Sequence, residues 1–112
     1  MSKRKSRKHI HNDRYIALQI SPELKPIVWK RDNYCCVICG KPVPKSCANA
    51  HYINRSQGGM GIEENIVTLC PKCHFEDDNG LHIQEYQQKI KKYLQSKYED
   101  WNEKDLVYSK WT

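Results

Sequence analysis

Two pairs of cysteines constrain the fold of this chain more than any other feature of its sequence. Cys36 and Cys39 form one Cys-x2-Cys pair, Cys70 and Cys73 form a second, and thirty residues separate the two pairs. Two such pairs supply four thiolates to one tetrahedral zinc ion, and four protein ligands leave no open position for a substrate. We therefore predict a structural zinc site that joins the two halves of the chain.

The other two cysteines, Cys35 and Cys47, are not expected to bind this metal. Cys35 competes with Cys36, but only Cys36 has the two-residue spacing to Cys39. We expect Cys35 and Cys47 to be small buried or surface thiols. A redox dithiol in either pair is a weaker alternative because it does not explain two matched pairs, and disulfides fit poorly without an export signal.

The composition fits one small domain with a modest core. The chain has 112 residues, of which 38% are hydrophobic and 29% are charged. Such a domain buries a limited fraction of its surface, so a metal is a sensible supplement to its core. The formal net charge is +6, and the first fourteen residues contribute +5 of it, which leaves the remainder nearly neutral. A basic excess of this kind favours a polyanionic partner such as nucleic acid.

Residues 1–14 are predicted to form a disordered basic arm, because they contain almost no apolar side chains. We expect the arm to bind DNA phosphates, although a solvated tail that aids solubility is an alternative. No apolar run of signal-peptide or membrane-span length is present, so we expect no membrane partner and a reducing, cytoplasmic setting. The basic residues expected to contact DNA are Lys3, Arg4, Lys5, Arg7 and Lys8.

The first half of the chain shows short segments of ambiguous type. We predict a helix at about residues 26–32, with Pro26 in its first turn and Trp29 in the core. Residues 15–20 fit either a strand or the start of a helix. Residues 50–54 fit a strand, and the β-rich residues 65–69 fit another.

Two helices are predicted in the second half. The first covers residues 71–78, because Pro71 suits the first helical position and Asn79-Gly80 suits a stop. The second begins near residue 81 and is amphipathic, with an apolar stripe that we expect to face the core. The stripe contains Ile83, Tyr86, Ile90, Tyr93, Leu94 and Trp101.

Histidines accompany the second cysteine pair and the predicted strand. His74 and Asp78 are four residues apart on one helical face, where an imidazole and a carboxylate can hold a divalent cation. A surface histidine paired with Asp78 is the alternative. His51 lies in the apolar stretch AHYI, ahead of a glycine-rich loop. A histidine in such a place is more often packed or hydrogen-bonded than catalytic.

The order Cys-x2-Cys, His51, Arg55-Ser56, Gly58-Gly59, Asn65 and Cys-x2-Cys-His resembles the HNH endonuclease family, whose motif is named after His, Asn and His. The resemblance runs from Arg31 to Gly80. It implies a small α+β fold, a ββα-metal finger stapled by the four-cysteine zinc and flanked by helices. On this basis residues 15–80 form the nuclease core, and residues 81–112 form a C-terminal amphipathic helix and tail packed on it.

The resemblance also implies a role for each residue of the motif. His51 corresponds to the general base that takes a proton from the attacking water. Asn65 corresponds to the residue that bonds the backbone and keeps the loop and His51 oriented. His74 corresponds to a ligand of the catalytic cation, Asp78 falls where many members carry a further ligand, and Arg55 either assists at the phosphate or has a structural or backbone-binding role.

One position departs from the family pattern. Many members carry a metal-binding Asp, Glu or His directly before the general base, and here that position is Ala50. The missing ligand would have to be replaced by water, by Asp77 or Glu76, or by substrate oxygens.

The leading hypothesis is a metal-dependent DNA endonuclease or nickase that leaves 5′-phosphate and 3′-hydroxyl ends. It implies double-stranded DNA as partner, structural Zn²⁺, and a catalytic Mg²⁺, Mn²⁺, Ni²⁺ or Zn²⁺. Small members of the family are common in phage and prophage genomes. The resemblance therefore suggests a phage origin or a bacterial host, and a protein partner such as the DNA-packaging machinery.

Two alternatives stay open. One is a zinc-stapled DNA-binding module that has lost catalysis, with Ala50 as the trace of that loss. The other is a nuclease that acts only with RNA or a protein partner, since the globular part has little charge with which to hold a duplex. In the first alternative, replacing His51 or His74 would change stability and remove no activity.

Overall fold

The computed structural model describes residues 13–109 of the chain. Residues 13–18 are helical (α1), and the other elements are three helices and two short strands. These are α2 (Leu24–Arg31), β1 (Ala50–His51), β2 (Ile66–Val67), α3 (Pro71–Asn79) and α4 (Ile83–Lys97). Single 3-10 turns cover Lys45–Cys47, Arg55–Gln57 and Glu103–Leu106. The predicted small α+β fold is confirmed.

In the N-terminal part of the described chain, the structure shows which of the predicted helices and strands form. The start of residues 15–20 is helical rather than extended. The predicted helix at 26–32 begins earlier, at Leu24, and ends at Arg31, before Asn33 and Tyr34 take positive φ angles of 58° and 64°. Trp29 is half-buried, and its indole N–H donates to the Val43 carbonyl at 2.8 Å. The indole therefore packs at the edge of the core and keeps its polar group bonded.

The two strands form a minimal antiparallel sheet in which Ala50 pairs with Val67 and His51 pairs with Ile66. The strand predicted over residues 50–54 stops after His51, because the chain turns into a 3-10 turn at Arg55–Gln57. Neighbouring strand residues face opposite sides of a sheet. Ile66 accordingly packs with Val28 and Ala48, whereas Val67 packs in the larger core beside the cysteine pairs.

Helix α3 confirms the prediction for residues 71–78 and is one residue longer. Cys70 is its N-cap, and the Cys70 thiol accepts a hydrogen bond from the Cys73 amide. Gly80 ends the helix with a φ of −79°, so a left-handed conformation is not the reason for glycine here. The reason is space, since a Cβ on Gly80 would lie 2.5 Å from the Glu76 carbonyl oxygen.

Helix α4 confirms the predicted amphipathic helix in its central turns. Ile90 and Leu94 are fully buried against the larger core, whereas Ile83 at the start of the helix is 38% exposed. Trp101 was expected on the helical stripe, but α4 ends at Lys97 and Tyr98 is extended. Trp101 reaches the same core from the following segment, where its indole N–H donates to the Glu64 carbonyl at 2.7 Å.

The larger core connects both cysteine pairs with α4. Its buried members are Cys36, Ala50, Val67, Leu69, Cys70, Cys73, Ile90 and Leu94. Helix α4 packs on this core through Ile90 and Leu94. The domain boundaries themselves stay a prediction, and residues 1–12 of the predicted arm lie outside the described residues. Within residues 13–109, no helix is both long and apolar enough to cross a membrane.

Candidate active site and metal centre

The four cysteines of the two pairs lie together. The sulfur atoms of Cys36, Cys39, Cys70 and Cys73 are all within 4.8 Å of one another. The Sγ atoms of Cys39 and Cys70 are 3.7 Å apart. Zinc–sulfur bonds of about 2.3 Å in a tetrahedron place the sulfurs about 3.8 Å apart, so the four thiols fit a zinc ion. The predicted four-cysteine cluster is confirmed.

Backbone amides donate hydrogen bonds to two of these sulfurs and favour their thiolate form. The Cys39 amide donates to the Cys36 sulfur at 3.5 Å, and the Cys73 amide donates to the Cys70 sulfur at 3.4 Å. Burial raises the pKa of Cys70, but the Cys73 amide and the neighbouring thiols lower that pKa to about 7. A thiolate is the form that binds metal. Each pair thus holds one sulfur with an N–H group directed at it.

Cys35 and Cys47 stand outside the cluster, as predicted, and both are half-buried free thiols. Within residues 13–109, the four-cysteine cluster is the only set of three or more potential metal ligands whose ligand atoms converge.

His51 ends strand β1 and is half-buried. Its Nε2 atom lies 2.8 Å from the carbonyl oxygen of Leu18, the last helical residue of α1. A carbonyl oxygen only accepts hydrogen bonds, so Nε2 carries the proton of the neutral ring. The Nδ1 atom then holds the lone pair and is the nitrogen that can take up a proton.

The surroundings of His51 keep its ring neutral. Burial lowers the pKa of His51, the hydrogen bond to Leu18 opposes this effect, and the nearby Arg55 and His74 lower the pKa further. At neutral pH the imidazole is therefore uncharged and able to accept a proton.

Asn65 is completely buried just before strand β2. Its Oδ1 accepts the Ile53 N–H at 2.8 Å, and its Nδ2 donates to the carbonyl oxygens of Ile53 at 3.2 Å and Met60 at 2.9 Å. Its backbone carbonyl accepts the Tyr52 N–H at 2.7 Å. The loop allows no side chain at Gly59, where a Cβ would overlap the Ile53 carbonyl. Asn65 therefore ties the loop after His51 to strand β2.

His74 and Asp78 form a pair on the exposed side of α3. The His74 Nε2 and Asp78 Oδ2 atoms are 3.6 Å apart, and both side chains reach solvent. His74 directly follows Cys73, so a metal at the four cysteines would anchor the turn that carries His74. The pair offers two ligand atoms to a divalent cation and leaves positions for water or substrate oxygens.

Ala50 and the two acidic residues next to the pair have other contacts in the structure. Ala50 is 1% exposed and packs in the core, on the opposite side of β1 from His51. Asp77 is buried, and its Oδ1 accepts a hydrogen bond from Gln87 Nε2 at 2.8 Å, so it faces α4. Burial raises the pKa of Asp77 despite that bond. Glu76 places a carboxylate oxygen beside Gly80.

Two residues of α1 contact the site although no sequence pattern predicts it. The Leu18 carbonyl bonds His51, and the Tyr15 ring lies beside Arg55, with 5.6 Å between the guanidinium carbon and the ring centroid. A backbone carbonyl has no side-chain signature, and Tyr15 precedes Arg55 by forty residues, so no local pattern links them. The predicted DNA contacts of the arm, from Lys3 to Lys8, lie outside the described residues.

Comparison with known proteins gives a family match and a similar relative. Residues 36–80 match a family model described as HNH endonuclease. The chain is also similar to Anaredoxin from Nostoc sp. (strain PCC 7120 / SAG 25.82 / UTEX 2576), with 38% identity over 50 residues, or 44% of this chain and 63% of that relative. No solved structure matches significantly. The matched segment contains both cysteine pairs, His51, Asn65 and His74, and the chain thus carries an HNH endonuclease motif built around a four-cysteine cluster.

Proposed function

We propose that this protein is a metal-dependent DNA endonuclease or nickase in which His51 is the general base. The observation that carries the proposal is the bond between His51 Nε2 and the Leu18 carbonyl at 2.8 Å. It leaves Nδ1 with the lone pair on a neutral ring, in the neighbourhood of His74. A base near neutral pKa and a cation site are the two groups that phosphodiester hydrolysis needs.

The chemistry divides among the residues of the site. His51 Nδ1 takes a proton from water as the water oxygen attacks phosphorus, and the bond from phosphorus to the 3′ oxygen breaks. The products are a 5′-phosphate and a 3′-hydroxyl, with the leaving oxygen protonated from solvent. His74 and Asp78 would hold Mg²⁺, Mn²⁺, Ni²⁺ or Zn²⁺, and such a cation would supply positive charge to offset the charge of the phosphate.

Arg55 and Asn65 serve different parts of the same reaction. Arg55 is exposed near His51, where a guanidinium can bond the non-bridging oxygens of a phosphate. Asn65 keeps the loop after His51 in place through its three side-chain hydrogen bonds. Structural zinc in the four-cysteine cluster would hold the start of α3 against the segment that carries Cys36 and Cys39. The basic arm would bind DNA phosphates without reading sequence.

A second candidate is a DNA-binding module without catalysis. The observation that favours it is the burial of Ala50, which leaves His74 and Asp78 as the converging ligand pair on α3. In this case the zinc would stabilise the fold, the basic arm would bind DNA, and a divalent cation would have no catalytic role.

The deciding experiment is nicking of supercoiled plasmid by the purified protein with Mg²⁺, Mn²⁺, Ni²⁺ or chelator. His51→Ala is compared at equal zinc content with His82→Ala, whose side chain is 69% exposed at the start of α4. We expect cation-dependent nicking that falls at least about 100-fold in His51→Ala, the lower range for a general base, and is retained in His82→Ala. DNA binding without nicking under every cation would support the second candidate instead.

A further inference from the structure

Helix α1 precedes the matched segment in the chain but makes three contacts with the candidate site. The Leu18 carbonyl bonds His51 Nε2 at 2.8 Å. The Ala17 carbonyl accepts the Gly61 N–H at 2.9 Å. The Tyr15 ring lies under the Arg55 guanidinium at 5.6 Å. This short helix thus contacts His51, the loop that follows His51, and Arg55, which we propose to bind the phosphate.

The end of α1 is closely seated on the loop. Leu18 is 4% exposed. A Cβ on Gly61 would overlap the carbonyl group of Gln19, so only glycine permits this approach of the two backbones. The buried Leu18 side chain and the bonded Gly61 amide fix the position of the Leu18 carbonyl. A fixed carbonyl can select one tautomer and one orientation of the imidazole.

Tyr15 has a different relation to the site. It is 55% exposed, so its ring is not held there by burial in the core. A guanidinium over an aromatic face is attracted by the ring quadrupole. Arg55 is itself exposed, on a 3-10 turn, and its long side chain has many conformations in water. Contact with the Tyr15 face restricts those conformations and holds the guanidinium beside α1.

We propose that α1 is a positioning element of the nuclease site, in which the Leu18 carbonyl orients His51 and the Tyr15 ring orients Arg55. The inference rests on the proposed function for its effect on cleavage. The contact between α1 and His51 is measurable without cleavage, so the two ideas can fail separately. Leu18 and Tyr15 act through His51 and Arg55 and do not touch the reacting atoms.

The first test reads the His51 tautomer by ¹⁵N NMR of the imidazole in the full chain. We expect the wild type to carry its proton on Nε2. Gln19→Pro disfavours the helical conformation of Leu18 and turns its carbonyl away, whereas Gln19→Ala keeps the backbone. We expect a mixture of tautomers in Gln19→Pro and the wild-type spectrum in Gln19→Ala, both at full zinc content.

Two outcomes would overturn the role of Leu18. One is a wild-type His51 that carries its proton on Nδ1 or exchanges between tautomers. The other is an unchanged Nε2 proton in folded Gln19→Pro. The wild-type spectrum decides the question even if Gln19→Pro does not fold. Failure of plasmid nicking in every variant would count against the proposed function and leave the tautomer result standing.

The second test is a double-mutant cycle between Tyr15→Leu and Arg55→Ala, measured on plasmid nicking and on binding of a short DNA duplex. We expect Tyr15→Leu to lower the nicking rate about two- to fivefold, the range for an exposed cation–π contact, and Tyr15→Phe to recover most of that loss. In the Arg55→Ala background Tyr15→Leu should have no further effect, because its partner is gone.

Ile16→Ala is the matched control, since Ile16 is 60% exposed on the same helix. We expect it to nick and bind DNA like the wild type. An equal effect of Tyr15→Leu with and without Arg55, in both nicking and binding, would show that Tyr15 does not act through Arg55. No effect of Tyr15→Leu in the wild-type background would overturn its role as well.

Discussion

Asn65 and His51, two residues of the candidate site, hydrogen-bond backbone groups rather than other side chains. Asn65 makes three side-chain hydrogen bonds, all to backbone atoms of the loop that follows His51. His51 bonds the backbone of α1. Backbone partners move only when an element moves, so they hold a side chain more firmly than a long, flexible partner would. The resemblance implied backbone bonding for Asn65 but gave no partner for His51.

The pH dependence of cleavage follows from the burial of His51. The base must be neutral, so the nicking rate should rise with pH through the pKa of His51 and then level. Burial lowers that pKa below its ordinary value of 6.5. We therefore expect the acid limb to lie below pH 6.5 and the plateau to be reached by neutral pH.

The profile is measured on plasmid nicking from pH 5 to 8 at constant ionic strength. An acid limb with the same midpoint in Mg²⁺ and in Mn²⁺ would show that it reports a group of the protein rather than water bound to the metal. A midpoint above 6.5 would contradict the neutral, desolvated His51.

Thr68 offers a test of packing at one residue. It is completely buried, its N–H donates to Asp32, and its carbonyl accepts the Val37 N–H. Its hydroxyl oxygen has no hydrogen-bond partner among the described residues. Thr68→Val removes that polar atom without changing shape, so we expect unfolding to require about 1 kcal/mol more free energy. Urea denaturation measures the difference.

Thr68→Ser is the control, because it keeps the hydroxyl and removes a buried methyl group. It should lower the free energy of unfolding by about 1 kcal/mol. A less stable Thr68→Val protein would mean that the hydroxyl bonds an ordered water.

At the scale of elements, Arg31 joins α2 to three other parts of the fold. Its guanidinium donates to the Ile66 carbonyl in β2 at 2.7 Å, to the Glu63 carbonyl at 2.6 Å and to the Tyr98 hydroxyl beyond α4 at 3.1 Å. It also forms a bidentate salt bridge with the Asp32 carboxylate, with N–O distances of 2.7 and 3.1 Å. Through the bond to Ile66, this network links the end of α2 to strand β2, which directly follows Asn65.

We expect Arg31→Lys to destabilise the fold by about 2 kcal/mol despite keeping the charge. An ammonium cannot reproduce the planar, five-donor geometry, and the carbonyls of Glu63 and Ile66 would lose partners. Lys30→Arg, at an exposed position of the same helix, is the control. Equal urea midpoints for wild type and Arg31→Lys would show that the network adds nothing to stability.

The elements also show where local patterns are sufficient. The predictions for α3 and the middle of α4 are confirmed because capping residues and a 3.6-residue period are local properties. The strand predicted over residues 50–54 has two residues, because Asn65 bonds Ile53 and the loop turns away. Trp101 fits the helical period but lies beyond Lys97, where the chain has become extended.

At the scale of the whole molecule, the cysteine cluster joins segments that are far apart in the chain. Cys36 and Cys39 follow α2, whereas Cys70 and Cys73 cap and begin α3. Three of the four cysteines are buried members of the larger core, so metal and core occupy the same place. Zinc binding at such a site is coupled to folding.

Cys39→Ser should therefore lose bound zinc and cooperative thermal unfolding. Cys35→Ser is the matched control, because Cys35 is a half-buried thiol outside the cluster. We expect the control to keep one zinc ion per chain and a thermal midpoint close to that of the wild type. Zinc content and thermal unfolding measured by circular dichroism compare the two. An unchanged midpoint and zinc content in Cys39→Ser would rule out the four-cysteine site.

The four-cysteine cluster, the HNH order of His51, Asn65 and His74, and helices such as α3 can be predicted from the amino-acid sequence, because ligand spacing, motif order and helical period are visible in the order of the residues. The nitrogen of His51 that is free to accept a proton is known from the fold alone, since the partner of the other nitrogen is a carbonyl 33 residues earlier in the chain. The fold also decides that Ala50 packs in the core and that Asp77 turns to α4. Burial and hydrogen-bond partners depend on which distant segments meet, and no local pattern contains that information.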